Sequence, residues 1–337
     1  MTEPLVVVVV PVFDGGDLLE GCLESILAQT HRELLVFVAD NASTDDSVAI
    51  AEKFVARDRR VRLVRHDVHL PMLEHWNRAF SYVPEQARYV KQLNVDDRLR
   101  PDGLQRLVEV AEAHPGVAVV SAFFMFGRQR VPRLVHDAVA IVPGREAIRE
   151  VLRGGPTHLG HPSAILLRRS AVRCLSRFYE PAPFPPGFAP PQPLPQADKE
   201  ACFDLLERFD LAFVPEVLTD LRSDERASAT GVSGRVGAWH VGRMETLLRH
   251  GHRFLTDDER RRWIQRAARR YLRSLVWRTL SGAPLRVPEF LVYQRLALPH
   301  VLGQLRGPDA TAGAVAGLAL WAALFRAGGR GGRASGK

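Results

Sequence analysis

The side chains best placed for chemistry in this 337-residue chain are carboxylates that stand where hydrophobic runs end. Asp40 follows the run 34–39, and the doublet Asp96-Asp97 follows the run 89–93. Two adjacent carboxylates on one turn cannot both point into a sheet. Held near phosphates, such a pair binds Mg2+ or Mn2+, hard ions that prefer carboxylate and phosphate oxygens. The doublet by itself also describes two solvated turn aspartates that help to set up the helix after Pro101. Other nucleotide fingerprints are missing. No GxxxxGK[ST] loop occurs, and no GxGxxG follows the first hydrophobic run, which argues against a P-loop NTPase and a dinucleotide-dependent enzyme.

The elements that must position these groups alternate. Residues 5–12 form a nearly continuous valine run, the pattern of a parallel strand covered on both faces. Asp14-Gly15-Gly16 breaks it, and Leu18, Leu19, Cys22, Leu23, Ile26 and Leu27 then recur at helical spacing. Residues 34–39 read as a second strand, followed by a helix from about Ser43, with the Ser43 hydroxyl as its cap and Asp45 and Asp46 at its positive end. A strand at 61–64, a helix over roughly 71–82, a strand at 89–93, a helix opening at Pro101 and a strand at 117–124 complete the series. This order predicts an α/β fold with an open, mostly parallel sheet and helices on both faces. In such a sheet the ligand lies beyond the carboxyl ends of the strands, at 11–16, 40–46, 65–69 and 94–98. Past Gly154 the pattern loosens. Eight prolines within 181–195 predict a surface loop of limited flexibility. Residues 198–209 then read as helix, 211–214 as a short strand, and the chain from Trp239 onward as basic helices. There Thr256 and Glu259 make a capping box ahead of an apolar stripe of Ile264, Ala267, Ala268, Tyr271, Leu272 and Leu275.

Four blocks in order carry a resemblance: VVVVPVFDGGDLLEGCLESILAQTHRELLVFVADNASTDDS, YVKQLNVDDRLRPDGL, HPSAILLRRSAV and ADKEACFDLLERFDLAFVPEVLTDLRSDERASAT. From Val6 to about Thr230 the chain resembles the family 2 glycosyltransferases, inverting nucleotide-sugar enzymes of GT-A fold. The resemblance implies that Pro11, Val12, Phe13 and Asp40 form the base pocket, with Asp40 accepting a hydrogen bond from the base. It implies further that Asp96 lies near the ribose and diphosphate, that Asp97 is the main ligand of Mg2+ or Mn2+, and that Asp198 is the general base. A divalent ion neutralises charge on a leaving nucleoside diphosphate, while a base on the opposite face of the sugar takes the acceptor proton, giving single displacement with inversion. From the residues alone, Asp40 could instead cap the helix that follows it, and Asp198 could be a charge at a helix start.

The chain departs from the family pattern twice. Asn94 stands where most members have an aspartate, keeping an acceptor oxygen but losing charge. Asp224 stands two residues after Arg222, where a histidine commonly supplies an extra metal or phosphate contact. Trp76-Asn77 resembles a donor-contacting segment, although Trp76 fits a core position as well. The expected organisation is a nucleotide-sugar-binding half at 1–125, an acceptor-side half of the same domain at 126–235, and a basic helical extension at 236–337. The donor expected is a UDP-, GDP- or dTDP-sugar, and the acceptor a glycan or lipid-linked hydroxyl in surface polysaccharide or glycolipid assembly. A non-catalytic nucleotide-sugar or glycan-binding relative is the alternative, for which Asn94 is the hint.

Charge is unevenly spread. Of 46 basic and 38 acidic residues, 20 basic and 6 acidic lie from Arg226 onward, so an acidic body precedes a basic tail. Such a tail suits an anionic surface such as lipid headgroups, or is a solvated arginine-rich face. Nucleic-acid binding is not expected, since no aromatic-interleaved basic motif is present. Three cysteines in no metal-binding spacing fit a reducing compartment. Glu3 and the lack of a basic lead-in argue against a signal peptide. The apolar stretch 310–325 is short for a spanning helix. The expected location is cytoplasmic, peripheral at the inner face of the membrane.

Overall fold

Residues 3–132, 134–180, 196–222, 235–283 and 288–305 are described in a computed structural model. The valine run is strand β1 (Val6–Val12), buried along its whole length. Val6, Val8, Val10 and Val12 join one core cluster with helix α1 (Asp17–Leu27) through Leu19, Cys22, Leu23 and Ile26. Strand alternation turns Val7 and Val9 to the other face, where they are equally buried and where α3 (Met72–Phe80) packs on β1. A strand needs two apolar faces only when both are covered, so the uninterrupted valines and the helices on both sides are one fact seen twice.

Strands β2 (Leu34–Asp40), β3 (Val61–Arg65) and β4 (Tyr89–Gln92) complete the first part of the sheet, with α2 (Ser47–Arg57) between β2 and β3. Next come β5 (Arg98–Leu99), α4 (Gly103–Ala113), β6 (Val117–Phe126), β7 (Gln129–Val131), β8 (Ala140–Val142), α5 (Gly144–Arg153) and β9 (Ile165–Arg168). The short helices α6 (Ala197–Glu200) and α7 (Phe203–Leu206) lead into β10 (Asp210–Leu221). The sheet runs β3-β2-β1-β4-β9-β6-β10-β5, with β7 beside β6 and β8 beside β10. On that path β1, β2, β3, β4, β6 and β10 point one way, and β9 and β5 point the other. The open, mostly parallel α/β sheet expected from the sequence is thus the fold observed.

Several local expectations are corrected. Helix α2 starts at Ser47 rather than near Ser43, and the Ser43 hydroxyl accepts the Asp14 N–H (3.1 Å) instead of capping it. Helix α4 starts at Gly103, two residues past Pro101, where the buried Gln29 side chain accepts the Leu104 N–H at 2.9 Å. The helix read over 198–209 is two single turns, α6 and α7. The strand read at 211–214 extends to twelve residues, because β10 keeps pairing with β6 across register shifts at Val214–Val217 and Val217–Thr219. Helix α5 and strand β9 were not foreseen.

Contacts divide the chain into two compact units, Met1–Pro181 with Ala197–Ser223, and Ala182–Gln196 with Asp224–Lys337. In the second, α8 (Ala238–Phe254), α9 (Asp257–Leu280) and α10 (Pro288–Leu302) pack together. The capping box forms as expected, with Thr256 Oγ1 accepting the Glu259 N–H at 3.2 Å. Ile264, Ala267, Ala268, Tyr271 and Leu275 are buried, and Leu272 is half-buried. Tyr271 donates its hydroxyl proton to Gln294, which donates in turn to the Val236 carbonyl (2.7 Å), so α9 and α10 share a satisfied buried polar contact. Among the described residues no helix is long and apolar enough to cross a membrane, and the stretch 310–325 and the proline-rich segment 181–195 lie outside them.

Candidate active site

Two clusters form at the carboxyl ends of the parallel strands. The first surrounds Asp40. Pairing of β1 with β2 sets Pro11 opposite Ala39 and Val12 opposite Asp40, so the two strand ends open together. Asp40 is almost fully buried. Its Oδ2 accepts the Ser43 N–H (3.3 Å), and its Oδ1 has no hydrogen-bond partner. A buried carboxylate oxygen left unmatched is costly unless a ligand supplies the donor. Phe13 is half exposed and packs its ring at 4.2 Å, tilted, on His69. Asn41 holds that loop by accepting the Leu70 N–H (2.8 Å) and donating to the Leu70 carbonyl (2.9 Å). Beside Asp40 lies a cleft of about 520 Å3 lined by Ala42, Ser43, Arg65, His66 and Asp67.

The loops after β1 and β2 are tied to each other. Ser47 Oγ accepts the N–H groups of Gly15 (2.8 Å) and Gly16 (3.1 Å), and Asp14 Oδ1 accepts the Thr44 N–H (2.7 Å). The turn depends on glycine for space, since a Cβ at Gly15 would lie 2.7 Å from the Val95 side chain, and at Gly16 φ is +44°.

The second cluster surrounds the aspartate doublet. Asp97 is buried and Asp96 half-buried. Asp97 Oδ1 accepts the Arg222 N–H at 3.3 Å, whereas its Oδ2 has no hydrogen-bond partner and lies 3.9 Å from His161 Nδ1. Burial, followed by the charge of Asp96, pushes the Asp97 carboxyl up to about 7. His161 is set by the turn after it, its Nδ1 accepting the Ser163 N–H at 3.3 Å. Burial holds the imidazole below its ordinary range against the opposing pull of Asp198 first and Asp96 second. The structure therefore brings Asp96, Asp97 and Asp198 into the electrostatic neighbourhood of one histidine. Asp198 sits in the first turn of α6, and its backbone carbonyl faces the Cys202 thiol. Beneath the doublet, fully buried Lys91 donates to the carbonyls of Ser163 (2.6 Å) and Ile165 (3.1 Å), and burial pushes its ammonium down to about 7.

Asn94 is held rather than free. Its Oδ1 accepts from Gln92 Nε2 (2.9 Å), and Gln92 Oε1 accepts the Tyr179 hydroxyl (2.8 Å). Asn77 clamps the Tyr179 backbone through both its amide atoms (2.7 and 2.8 Å), and Trp76 stands edge-on to the Tyr179 ring at 5.0 Å. Trp76-Asn77 thus braces the segment that supports Asn94.

Among the described residues no three His, Cys, Asp or Glu side chains converge as a metal cage, and Asp224 lies outside them. Mg2+ or Mn2+ bound with a nucleotide takes only one or two protein carboxylates, the remaining ligands being phosphate oxygens and water. The partnerless buried Oδ2 of Asp97 fits that pattern. His161 escaped the sequence reading although it opens the block HPSAILLRRSAV. Lys91 escaped it because a lysine in YVKQLN reads as solvent-facing.

Comparisons with known proteins agree with this architecture. The chain is similar to the putative teichuronic acid biosynthesis glycosyltransferase TuaG of Bacillus subtilis, 29% identical over 107 residues that make up 32% of this chain and 42% of TuaG. The stretches matched in the curated relatives cover 10% to 54% of those proteins' own lengths. Among solved structures, S. aureus TarS 1-349 in complex with UDP-GlcNAc superposes with a TM-score of 0.64 at 13% identity, over 97% of this chain and 92% of that one. The mannosyltransferase PcManGT from Pyrobaculum calidifontis, in complex with GDP-Man and Mn2+, superposes with a TM-score of 0.53 at 18% identity, over 95% and 81%. Residues 7–176 match the profile of Glycosyl transferase family 2, and with half of its residues inside that match the chain belongs to this family.

Proposed function

We propose that the chain transfers a sugar from a nucleotide-sugar donor to an acceptor hydroxyl with inversion at the anomeric carbon. The observation that carries this reading is the pair of partnerless buried carboxylate oxygens, Asp40 Oδ1 and Asp97 Oδ2, beyond the carboxyl ends of β2 and β4, the two parallel strands that flank β1. One suits a base N–H and the other suits a cation on a diphosphate. In this reading Pro11, Val12 and Phe13 frame the base, which Asp40 holds by accepting its N–H, and Asp96 lies toward the ribose. Asp97 would hold Mg2+ or Mn2+ through its partnerless Oδ2, with Asp224 as a further candidate ligand. The bound ion supplies neutralisation of the charge that develops on the leaving diphosphate. Asp198 takes the acceptor's proton as its oxygen attacks the anomeric carbon, while the electron pair of the breaking C–O bond leaves with the diphosphate.

PcManGT holds GDP-Man with Mn2+ and TarS holds UDP-GlcNAc, which supports a UDP-, GDP- or dTDP-linked donor and a divalent ion. The name of TuaG, a teichuronic acid biosynthesis glycosyltransferase, supports a glycan acceptor in surface polysaccharide assembly; a lipid-linked acceptor in glycolipid assembly at the cytoplasmic face of a membrane is the further part of this proposal. The halves 1–125 and 126–235 would then serve donor and acceptor, with 236–337 as the extension. The test is incubation with each class of nucleotide sugar and Mn2+ or Mg2+, following release of nucleoside diphosphate. Release that requires the ion is expected. Tight donor binding without release would identify a non-catalytic nucleotide-sugar-binding relative instead.

A further inference from the structure

Helix α9 has two unlike faces. Ile264, Ala267, Ala268, Tyr271 and Leu275 are buried on one. On the other, Arg262, Arg266, Arg269, Arg270 and Arg273 are exposed at spacings of four, three, one and three residues, one continuous stripe of a helix. They and Gln265 line a shallow groove of about 460 Å3. The acids at the start of the helix are engaged locally, Asp257 by Arg260 and Asp258 by Arg261, and among the described residues no carboxylate lines the groove. From α8, the Arg243 guanidinium lies over the Trp263 ring and is pushed down to about 10 by burial and by Arg270 and Arg266, a sign of how positive this surface is.

The stripe does not end in arginine. Continuing at the same spacing, its last turns present Val276, Trp277 and Leu280, which are 40%, 67% and 82% exposed. Large apolar side chains that far out of the fold are unusual on a surface otherwise built from arginine. A soluble phosphate or a phosphodiester polymer would use the guanidinium groups but gives no reason for an exposed valine and leucine. An anionic bilayer uses both, with guanidinium groups on the headgroups and an indole with aliphatic neighbours at the acyl boundary. The stripe from Arg262 to Leu280 is about 27 Å long at the helical rise, long enough to lie along such a surface.

We infer that the solvent face of α9 docks on an anionic lipid bilayer, with Arg262, Arg266, Arg269, Arg270 and Arg273 on lipid phosphates and Trp277 and Leu280 inserted. This gives a definite surface to the membrane location contained in the proposed function, and it stands or falls separately from the transfer chemistry.

Full-length protein is sedimented with vesicles of phosphatidylcholine alone and of phosphatidylcholine mixed with phosphatidylglycerol. Binding to the mixed vesicles is expected, with little to the neutral ones, and it should weaken as salt approaches about 1 M. Arg266→Glu with Arg270→Glu should lower the affinity about tenfold or more. Trp277→Ser with Leu280→Ser should lower it while keeping its salt dependence. Trp277→Phe should retain most of the binding but lose the blue shift of tryptophan fluorescence seen with vesicles, a readout that survives if the charge reversals fail to fold. Unchanged binding in both double variants overturns the proposal, as does a missing blue shift in the wild type. Displacement from vesicles by single-stranded oligonucleotide or inorganic phosphate at micromolar levels also overturns it, assigning the groove to a soluble anion. Diphosphate release measured without vesicles reports on the transfer reading alone, so failure of one is not failure of the other.

Discussion

Asp97 Oδ2 faces His161 Nδ1 at 3.9 Å across a gap bridged by no hydrogen bond, although the carboxylate is buried. The two residues arrive there from different directions, Asp97 from the turn after β4 and His161 from the turn before β9, and β4 and β9 are antiparallel neighbours. Sheet pairing therefore sets the spacing of a carboxylate whose own surroundings leave one oxygen unanswered.

Replacing Asp97 by alanine should reduce transfer by at least about 10²-fold and weaken metal-dependent binding of nucleoside diphosphate. Asp97→Asn, which keeps the acceptor for the Arg222 N–H, should lose activity while the melting temperature holds or rises, because a buried unmatched charge is removed. Turnover at the wild-type rate in Asp97→Ala, or in excess EDTA, would count against the ion-binding role.

At Asp198 chemistry and binding should separate. Asp198→Asn cannot accept a proton, so kcat should fall by about 10²- to 10⁴-fold with donor Kd unchanged by calorimetry. A collapse in donor affinity would make Asp198 a donor contact and move the search for the base to another carboxylate.

His75 predicts a pH dependence of stability. It is buried, both ring nitrogens lack hydrogen-bond partners, and burial, with His66 and His69 adding to it, pushes its imidazole down to about 3. A folded-state value below the unfolded one means that acid favours the unfolded chain, which takes up the proton first. Stability should be full above about pH 6.5 and fall by about 2 kcal/mol between pH 7 and pH 5 from this residue. Urea titrations at several pH values should show a flatter slope in His75→Leu, and an unchanged slope would mean that the ring is hydrated in solution.

Asn77→Ala removes both amide contacts with the Tyr179 backbone and leaves a buried N–H and carbonyl unmatched. A loss of about 2–3 kcal/mol in chemical denaturation is expected. If Tyr179 then releases Gln92, and with it Asn94, donor affinity should fall as well. Full affinity at reduced stability would show that the brace serves the fold alone.

Much of the frame was legible in the chain. The unbroken valines of β1 could serve only a strand covered twice, and the helical spacing of Leu19, Cys22, Leu23 and Ile26 put one cover in place. The acids at strand ends were visible because Asp40 and Asp96-Asp97 interrupt hydrophobic runs. What was hidden depends on long-range partners. Ser43 and Ser47 are equivalent as local helix caps, and only the approach of the β1 loop decides that Ser43 binds Asp14 while Ser47 binds two glycine amides. Lys91 is polar by type yet buried, because two carbonyls from the segment after His161 receive its protons. Strand β10 outruns its apolar stretch because β6 keeps offering backbone partners past Val214. His161 is near the carboxylates only through the pairing of β9 with β4, which no local periodicity encodes.

The Ser47 hydroxyl carries a consequence for how this chain could change its preferences over time. By holding the amides of Gly15 and Gly16, it occupies backbone donors that many nucleotide-binding turns present to phosphate, and it joins the turn bearing Phe13 to the turn bearing Asp40. The two sides of the cleft beside β1 and β2 are thereby cast as one piece, tied through backbone amides of the first turn and side chains of both turns. Under the proposed function, selectivity in such a casting would be inherited through side-chain identity at Phe13, His66 or His69, so a drift toward a different base would proceed by discrete replacements at those positions while Ser47 and the two glycines stayed as they are.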